Sequence, residues 1–121
     1  MKVPLSISQL TNKEIKIVAD SLKTGWLTHG KNNLIFENKF SNYIGAKYSI
    51  SMNSCTSALE CAVKLIKKKG EIIIPSWTWV STANAVINGG CKPVFADVEL
   101  NSRNINAQEI KNKIKKKTAG V

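Results

Sequence analysis

Apolar residues recur along this chain first at helical spacing and then in short runs that alternate with helical ones. Ile15, Val18, Ala19 and Leu22 fall three and four apart and predict one apolar helix face. Thr11-Asn12-Lys13-Glu14 opens that helix as a capping box, and Gly25 closes it. Phe36, Phe40, Tyr43 and Ile44 predict a second face within a helix from Asn33 to Ile44, stopped by Gly45. Between the two, Gly25-Trp26-Leu27-Thr28-His29-Gly30 sets a bulky indole in a loop between glycines.

Beyond Gly45 the pattern changes. Tyr48 to Met52, Ile72 to Ile74 and Lys92 to Val98 predict strands, and Thr56 to Lys67, Thr78 to Ile87 and Ala107 to Lys116 predict helices. Strands alternating with helices of this length argue for an α/β fold with a parallel sheet. Thr118-Ala119-Gly120-Val121 reads as the opening of a further strand. There are no internal repeats and no low-complexity linkers.

Composition narrows the classes. A chain of 121 residues with 43% hydrophobic and 21% charged residues suits one globular domain with a modest core. No apolar run approaches the roughly 20 residues of a membrane span, and Met1-Lys2-Val3-Pro4-Leu5 lacks a signal-peptide core, which makes a cytoplasmic location the default. Cys55, Cys61 and Cys91 have no CxxC spacing, and His29 is the single histidine, so neither a zinc set nor a disulfide framework is expected. The net charge of +10 invites a nucleic-acid partner, but seventeen of the eighteen basic residues are lysine and Arg103 is the sole arginine. Base reading favours arginine forks, and Lys67-Lys68-Lys69 and Lys115-Lys116-Lys117 fall where predicted helices end and cations suit the dipole. No nucleic-acid partner is therefore expected.

Candidate chemistry gathers in three loops that follow predicted strands, the place where parallel sheets bind ligands. Asn53-Ser54-Cys55-Thr56-Ser57-Ala58 turns through small polar residues into a helix, leaving N–H groups free at its positive end. Cys55 and Thr56 could hold a phosphate there, or the segment could be an ordinary N-cap. Cys55 is a nucleophile only with a partner base, and none lies near in sequence. Trp77 and Trp79 follow the second predicted strand: one is expected to pack in the core and the other to offer a stacking face to a flat ligand. Asp97, at the end of the third, could bind a ligand or cap a turn at Asn101-Ser102, and the cap is the expectation.

With these residues in hand, the chain resembles the N-terminal portion of the DegT/DnrJ/StrS-type sugar aminotransferases, pyridoxal-phosphate enzymes of fold type I. The resemblance runs in order through Gly25–Thr28, Gly45–Tyr48, Asn53–Leu59, Ile74–Ala85 and Lys92–Val98. It implies that Cys55 and Thr56 hold the cofactor phosphate, that Trp79 stacks on the pyridine ring, and that Trp26, Leu27 and Thr28 lie near the substrate or the partner subunit of a homodimer. It implies residues 1–45 as an N-terminal helical arm and loop, and 46–121 as the first part of the cofactor-binding large domain. The implied reaction is amino transfer to a nucleotide-linked keto sugar from glutamate or glutamine, in amino-sugar biosynthesis. A sugar dehydratase of the same family, and a non-catalytic docking chain, are the alternatives.

The same resemblance implies what is missing. The family's Schiff-base lysine and the carboxylate on the pyridine nitrogen match no residue here, so no catalytic residue is assigned and no activity of the chain alone is expected. The chain reads as a front third cut in or just before a strand. It implies Tyr48–Met52 as one edge of a seven-stranded sheet, with Ile72–Ile74 and Lys92–Val98 paired at the far side and the intervening strands absent. Open strand edges and bare apolar faces then predict marginal stability.

Overall fold

The computed structural model describes residues 3–121. The signal-peptide reading of the N-terminus rests partly on Met1 and Lys2, outside the described residues. The chain divides into two compact units, one ending at Ser51 and the other spanning Met52–Val121.

The first unit holds α1 (Asn12–Lys23) and α2 (Lys31–Ile44). The expected capping box is formed: Thr11 Oγ1 accepts from the Lys13 N–H, and the Thr11 N–H donates to the Glu14 carboxylate at 2.8 Å. The Thr11 hydroxyl also donates to that carboxylate, and this bond, more than the one from the Thr11 N–H, holds the Glu14 carboxyl below its ordinary range. Gly25 and Gly45 both adopt φ near +70°, the left-handed turn that ends each helix at little cost for glycine. α2 starts two residues earlier than its apolar face predicts, because Asn33 Oδ1 accepts the Gly30 N–H at 3.1 Å and fixes the entry. The helix faces are formed but not covered. Ile15, Val18, Leu22, Phe36, Phe40 and Ile44 are all exposed, and the buried residue of α2 is Ser41.

Tyr48–Met52 is not a strand. A strand needs a ladder partner, and the segment finds side-chain and helix-end partners instead. The Ser51 N–H and hydroxyl both donate to Glu37 Oε1 at 2.8 Å, and the Ser49 hydroxyl donates to the Glu37 carbonyl. His29 Nε2 lies 3.4 Å from the same Oε1. The Ser51 bonds draw the Glu37 carboxyl below its ordinary range, opposed by burial and assisted by His29.

The second unit is the α/β part: α3 (Cys55–Leu65), β1 (Glu71–Pro75), α4 (Val80–Asn88), β2 (Lys92–Ala96), α5 (Ala107–Lys113) and β3 (Thr118–Gly120). The sheet is parallel in the order β2-β1-β3, with Glu71 facing Lys92 on one side and Thr118 on the other. The expected pairing of Ile72–Ile74 with Lys92–Val98 is present as β1 with β2, and the strand expected at the end of the chain is β3. β1 is central, so the apolar run Ile72–Ile74 is buried as a parallel sheet requires, and Glu71 beside it is buried as well. Ile72 and Ile74 face a core of Val86 and Cys91, with Val63, Ile66 and Ala83 packed against it. Ile73 alternates to the other face and is fully buried.

Element ends differ from the sequence pattern for local reasons. α3 stops at Leu65 because Ile66 turns extended (φ −64°, ψ 115°) and packs on the core. α5 stops at Lys113, since Ile114 is extended and the Lys115 N–H donates to Thr118 Oγ1 at 2.8 Å. β2 stops at Ala96, where the Val98 N–H donates to Asp97 Oδ1 and Val98 bridges Ile105. α4 begins at Val80, two residues after the expected Thr78, whose hydroxyl lies 3.2 Å from that of Thr82.

Candidate active site

The turn at Asn53–Ala58 enters α3 directly from irregular chain, not from a strand. Its cap is Ser54: the backbone is extended (φ −158°, ψ 158°), and Ser54 Oγ accepts the Ser57 N–H at 3.1 Å. The Ala58 N–H reaches the Ser54 carbonyl at 3.2 Å. Both readings of the turn are therefore compatible, because the cap consumes the third N–H and leaves the first two. Among the described residues nothing accepts from the N–H groups of Cys55 and Thr56. The first turn of α3 carries no acidic residue, so nothing there repels an anion at the positive helix end. Cys55 is exposed and Thr56 half-buried. A phosphate group fits this donor set.

α4 packs on α3. Asn88 Nδ2 donates to Glu60 Oε1 at 2.8 Å, and Gly89 lies so close to α3 that an added Cβ would meet Val63 Cγ1 at 2.2 Å. The structure thus holds Cys55, Thr56 and Trp79 on two helices that share one interface, Trp79 being the N-cap of α4. Its indole makes no capping bond and is 78% exposed, which leaves a ring face for a flat partner.

The expectation that one of the two tryptophans packs in the core is wrong. Trp77 is 64% exposed, and the Arg103 guanidinium sits 5.6 Å from its ring centroid. β1 ends at Pro75, so the next residues leave the sheet before reaching a helix and neither indole meets the core. Asp97 does not cap Asn101-Ser102. Its Oδ1 accepts from the Val98 N–H at 2.8 Å and from the Ser76 hydroxyl at 3.3 Å, joining the loops that follow β1 and β2. Glu99 takes the turn instead, accepting from the Ser102 hydroxyl at 2.9 Å.

Trp26, Leu27 and Thr28 belong to the first unit, where they border a cleft of about 880 Å3 between the end of α1 and the start of α2. Trp26 Nε1 donates to the His29 carbonyl at 2.9 Å, folding the indole over Gly30. The sequence pattern assigns no site role of their own to Ser54, Glu37 or Arg103. Ser before an apolar helical run is a cap signal that points to Ser54. No sequence signal joins Glu37 to Ser51 or Arg103 to Trp77, because both pairs arise from chain folding.

Among the described residues no group of three His, Cys, Asp or Glu side chains could hold a metal ion, and no helix is long and apolar enough to cross a membrane.

The sequence profile of the DegT/DnrJ/EryC1/StrS aminotransferase family matches residues 8–121. The chain is similar to GDP-perosamine synthase of Vibrio cholerae, 31% identical over 122 residues, covering 98% of this chain and 33% of that protein. Its fold is similar to PseC of Helicobacter pylori, an aminotransferase of pseudoaminic acid biosynthesis (TM-score 0.84, 31% identity, 93% of this chain and 31% of that one). It is also similar to the Escherichia coli GDP-4-keto-6-deoxy-D-mannose-3-dehydratase with bound hydrated pyridoxal phosphate (TM-score 0.88, 25% identity, 97% and 32%). The chain spans about a third or less of the length of the curated relatives it matches (29%, 31% and 33%).

Proposed function

The chain belongs to the DegT/DnrJ/EryC1/StrS aminotransferase family, and from that premise we propose that it is the N-terminal part of a pyridoxal-phosphate aminotransferase acting on a nucleotide-linked keto sugar. The observation that carries the proposal is the start of α3: two open N–H groups, on Cys55 and Thr56, in a first turn free of acids, on a helix packed against the one that Trp79 opens. Pyridoxal phosphate supplies, when bound, an electron-withdrawing ring on which an amino group is moved between substrates. The chain's own residues would bind and orient it. The N–H groups of Cys55 and Thr56, with the Thr56 hydroxyl, hold the phosphate, and the exposed Trp79 indole covers one ring face.

Trp26, Leu27 and Thr28 would contribute to the substrate or to a homodimer interface, through the cleft they border. Glutamate or glutamine is the proposed amino donor, and the cytoplasm the proposed location. Residues 1–45 would form an arm, and 46–121 the first part of the large domain. A dehydratase is the second reading, favoured by the likeness to the dehydratase fold; by family resemblance the two activities part at a lysine position unmatched in this chain. The bare apolar faces of α1 and α2 support a docking role for the chain by itself.

Two measurements test the reading. Titrating the 121-residue chain with pyridoxal phosphate should quench indole fluorescence more than pyridoxal does, without a dialysis-resistant absorbance band near the visible edge. A stable band, or amino transfer to a nucleotide-linked keto sugar by the chain alone, would overturn the claim that it lacks the covalent partner. Reading the coding DNA downstream should reveal an in-frame continuation or a frameshift, with a lysine and a pyridine-facing carboxylate beyond it; their absence would sink the enzymatic reading.

A further inference from the structure

The amino end of the sheet, opposite the loops described above, concentrates lysines. Lys68 and Lys69 precede β1, and Lys115, Lys116 and Lys117 precede β3, its parallel neighbour. Two segments nearly fifty residues apart are thereby brought to the walls of one groove of about 430 Å3. Their approach is close. The Glu71 N–H donates to the Lys117 carbonyl at 2.9 Å, and a Cβ on Gly70 would meet that carbonyl oxygen at 2.3 Å. Only a residue without a side chain fits there.

Two of the five ammonium groups are already occupied. Lys117 Nζ pairs with the buried Glu71 carboxylate at 2.8 Å, and Lys69 Nζ donates to the Val63 and Lys64 carbonyls at the end of α3. Among the described residues Lys68, Lys115 and Lys116 have no carboxylate within ion-pair distance. Like charges gathered in a concavity repel one another and raise the local concentration of anions. The groove is shallow and bounded by only two short lysine segments, which suits a small ligand of high charge better than a strand laid along a face. Lysine stems line it, and the ammonium heads they carry are hydrated point charges and not planar forks, which suits charge-dense oxyanions better than base edges.

We propose that this groove is a binding site for a compact multivalent phosphate anion, with Lys68, Lys115 and Lys116 as its contacts. The probe is inorganic tripolyphosphate, titrated calorimetrically into the 121-residue chain at low ionic strength, with sucrose present to favour the folded state. Saturable binding is expected, weakening as salt is raised. The triple variant Lys68→Gln, Lys115→Gln, Lys116→Gln should lose at least about tenfold in affinity. A charge-matched control, Lys13→Gln, Lys16→Gln, Lys39→Gln, should stay within about twofold. Far-UV circular dichroism checks the fold; if the triple variant is unfolded, Lys116→Glu alone, in an exposed turn, should show the same loss. Non-saturable binding, an equal loss in the control, or a single-stranded oligonucleotide of equal charge binding more tightly through the same lysines would each overturn the assignment.

Discussion

Gly89→Ala gives a stringent test of how the two site-bearing helices are held. Gly89 is buried, with φ −77° and ψ −2°, a conformation any residue adopts, so its role is steric and not conformational. A Cβ there would lie 2.2 Å from Val63 Cγ1, 2.8 Å from Val63 Cβ and 3.0 Å from the Ala85 carbonyl oxygen. Carbon atoms settle about 3.5–4.0 Å apart, so more than an ångström of overlap must be relieved. Val63 is β-branched and in a helix, with one strongly preferred rotamer, so a side-chain flip offers no cheap relief. α3 and α4 must separate instead, at a cost of about 1–3 kcal/mol. The assay is urea unfolding followed by far-UV circular dichroism, in sucrose so that the folded state is populated. The midpoint should fall with little change in slope. Adding Val63→Ala should cost less in the Gly89→Ala background than alone, a coupling of roughly 0.5–3 kcal/mol. Gly25→Ala is the contrast: nothing lies within 4 Å of its Cβ position, and its φ of +70° imposes only a backbone penalty of about 1 kcal/mol. A Gly89→Ala variant within about 0.5 kcal/mol of the parent would refute the steric reasoning.

Other expectations follow from the same structure. The chain alone should melt broadly and bind hydrophobic dyes, because Ile15, Val18, Leu22, Phe36, Phe40 and Ile44 are exposed and, among the described residues, no further strand pairs with β2 or β3; a sharp monomeric transition would count heavily against this. Thr11→Ala should destabilise α1 by about 1 kcal/mol, read as lower helicity at fixed temperature, with no change expected around α4. Glu37 and Glu71 have folded carboxyl groups held below their ordinary value of 4.5, by the Ser51 bonds and by Lys117 respectively. Their stabilisation is complete above that value and is lost as pH falls through the lower folded one, so an acid titration should show unfolding there, with a smaller pH dependence in Glu37→Gln. In a chain that binds pyridoxal phosphate, Thr56→Val should weaken binding by roughly 1.5–3 kcal/mol, as for a bond to a charged acceptor, and leave pyridoxal binding unchanged.

Local chemistry was legible in the sequence wherever one segment decides its own shape. Thr11 and Glu14 specify a capping box, Gly25 and Gly45 specify helix stops, and the Ile72–Ile74 run specifies a strand, whose central place only the pairing with β3 decides. The Asn53–Ala58 turn was legible for the same reason, since a helix start needs only its own N–H groups and a nearby hydroxyl. Tertiary structure decided the rest. Tyr48–Met52 has the pattern of a strand, but pattern cannot supply a ladder, and Glu37 captures Ser51 instead. Trp77 and Trp79 have the residue type of a core, but both lie past the end of β1, beyond the reach of the packed face. The lysine clusters read as helix ends; only the parallel pairing of β1 with β3 makes them two walls of one groove, because burial and pairing depend on residues far apart in the chain.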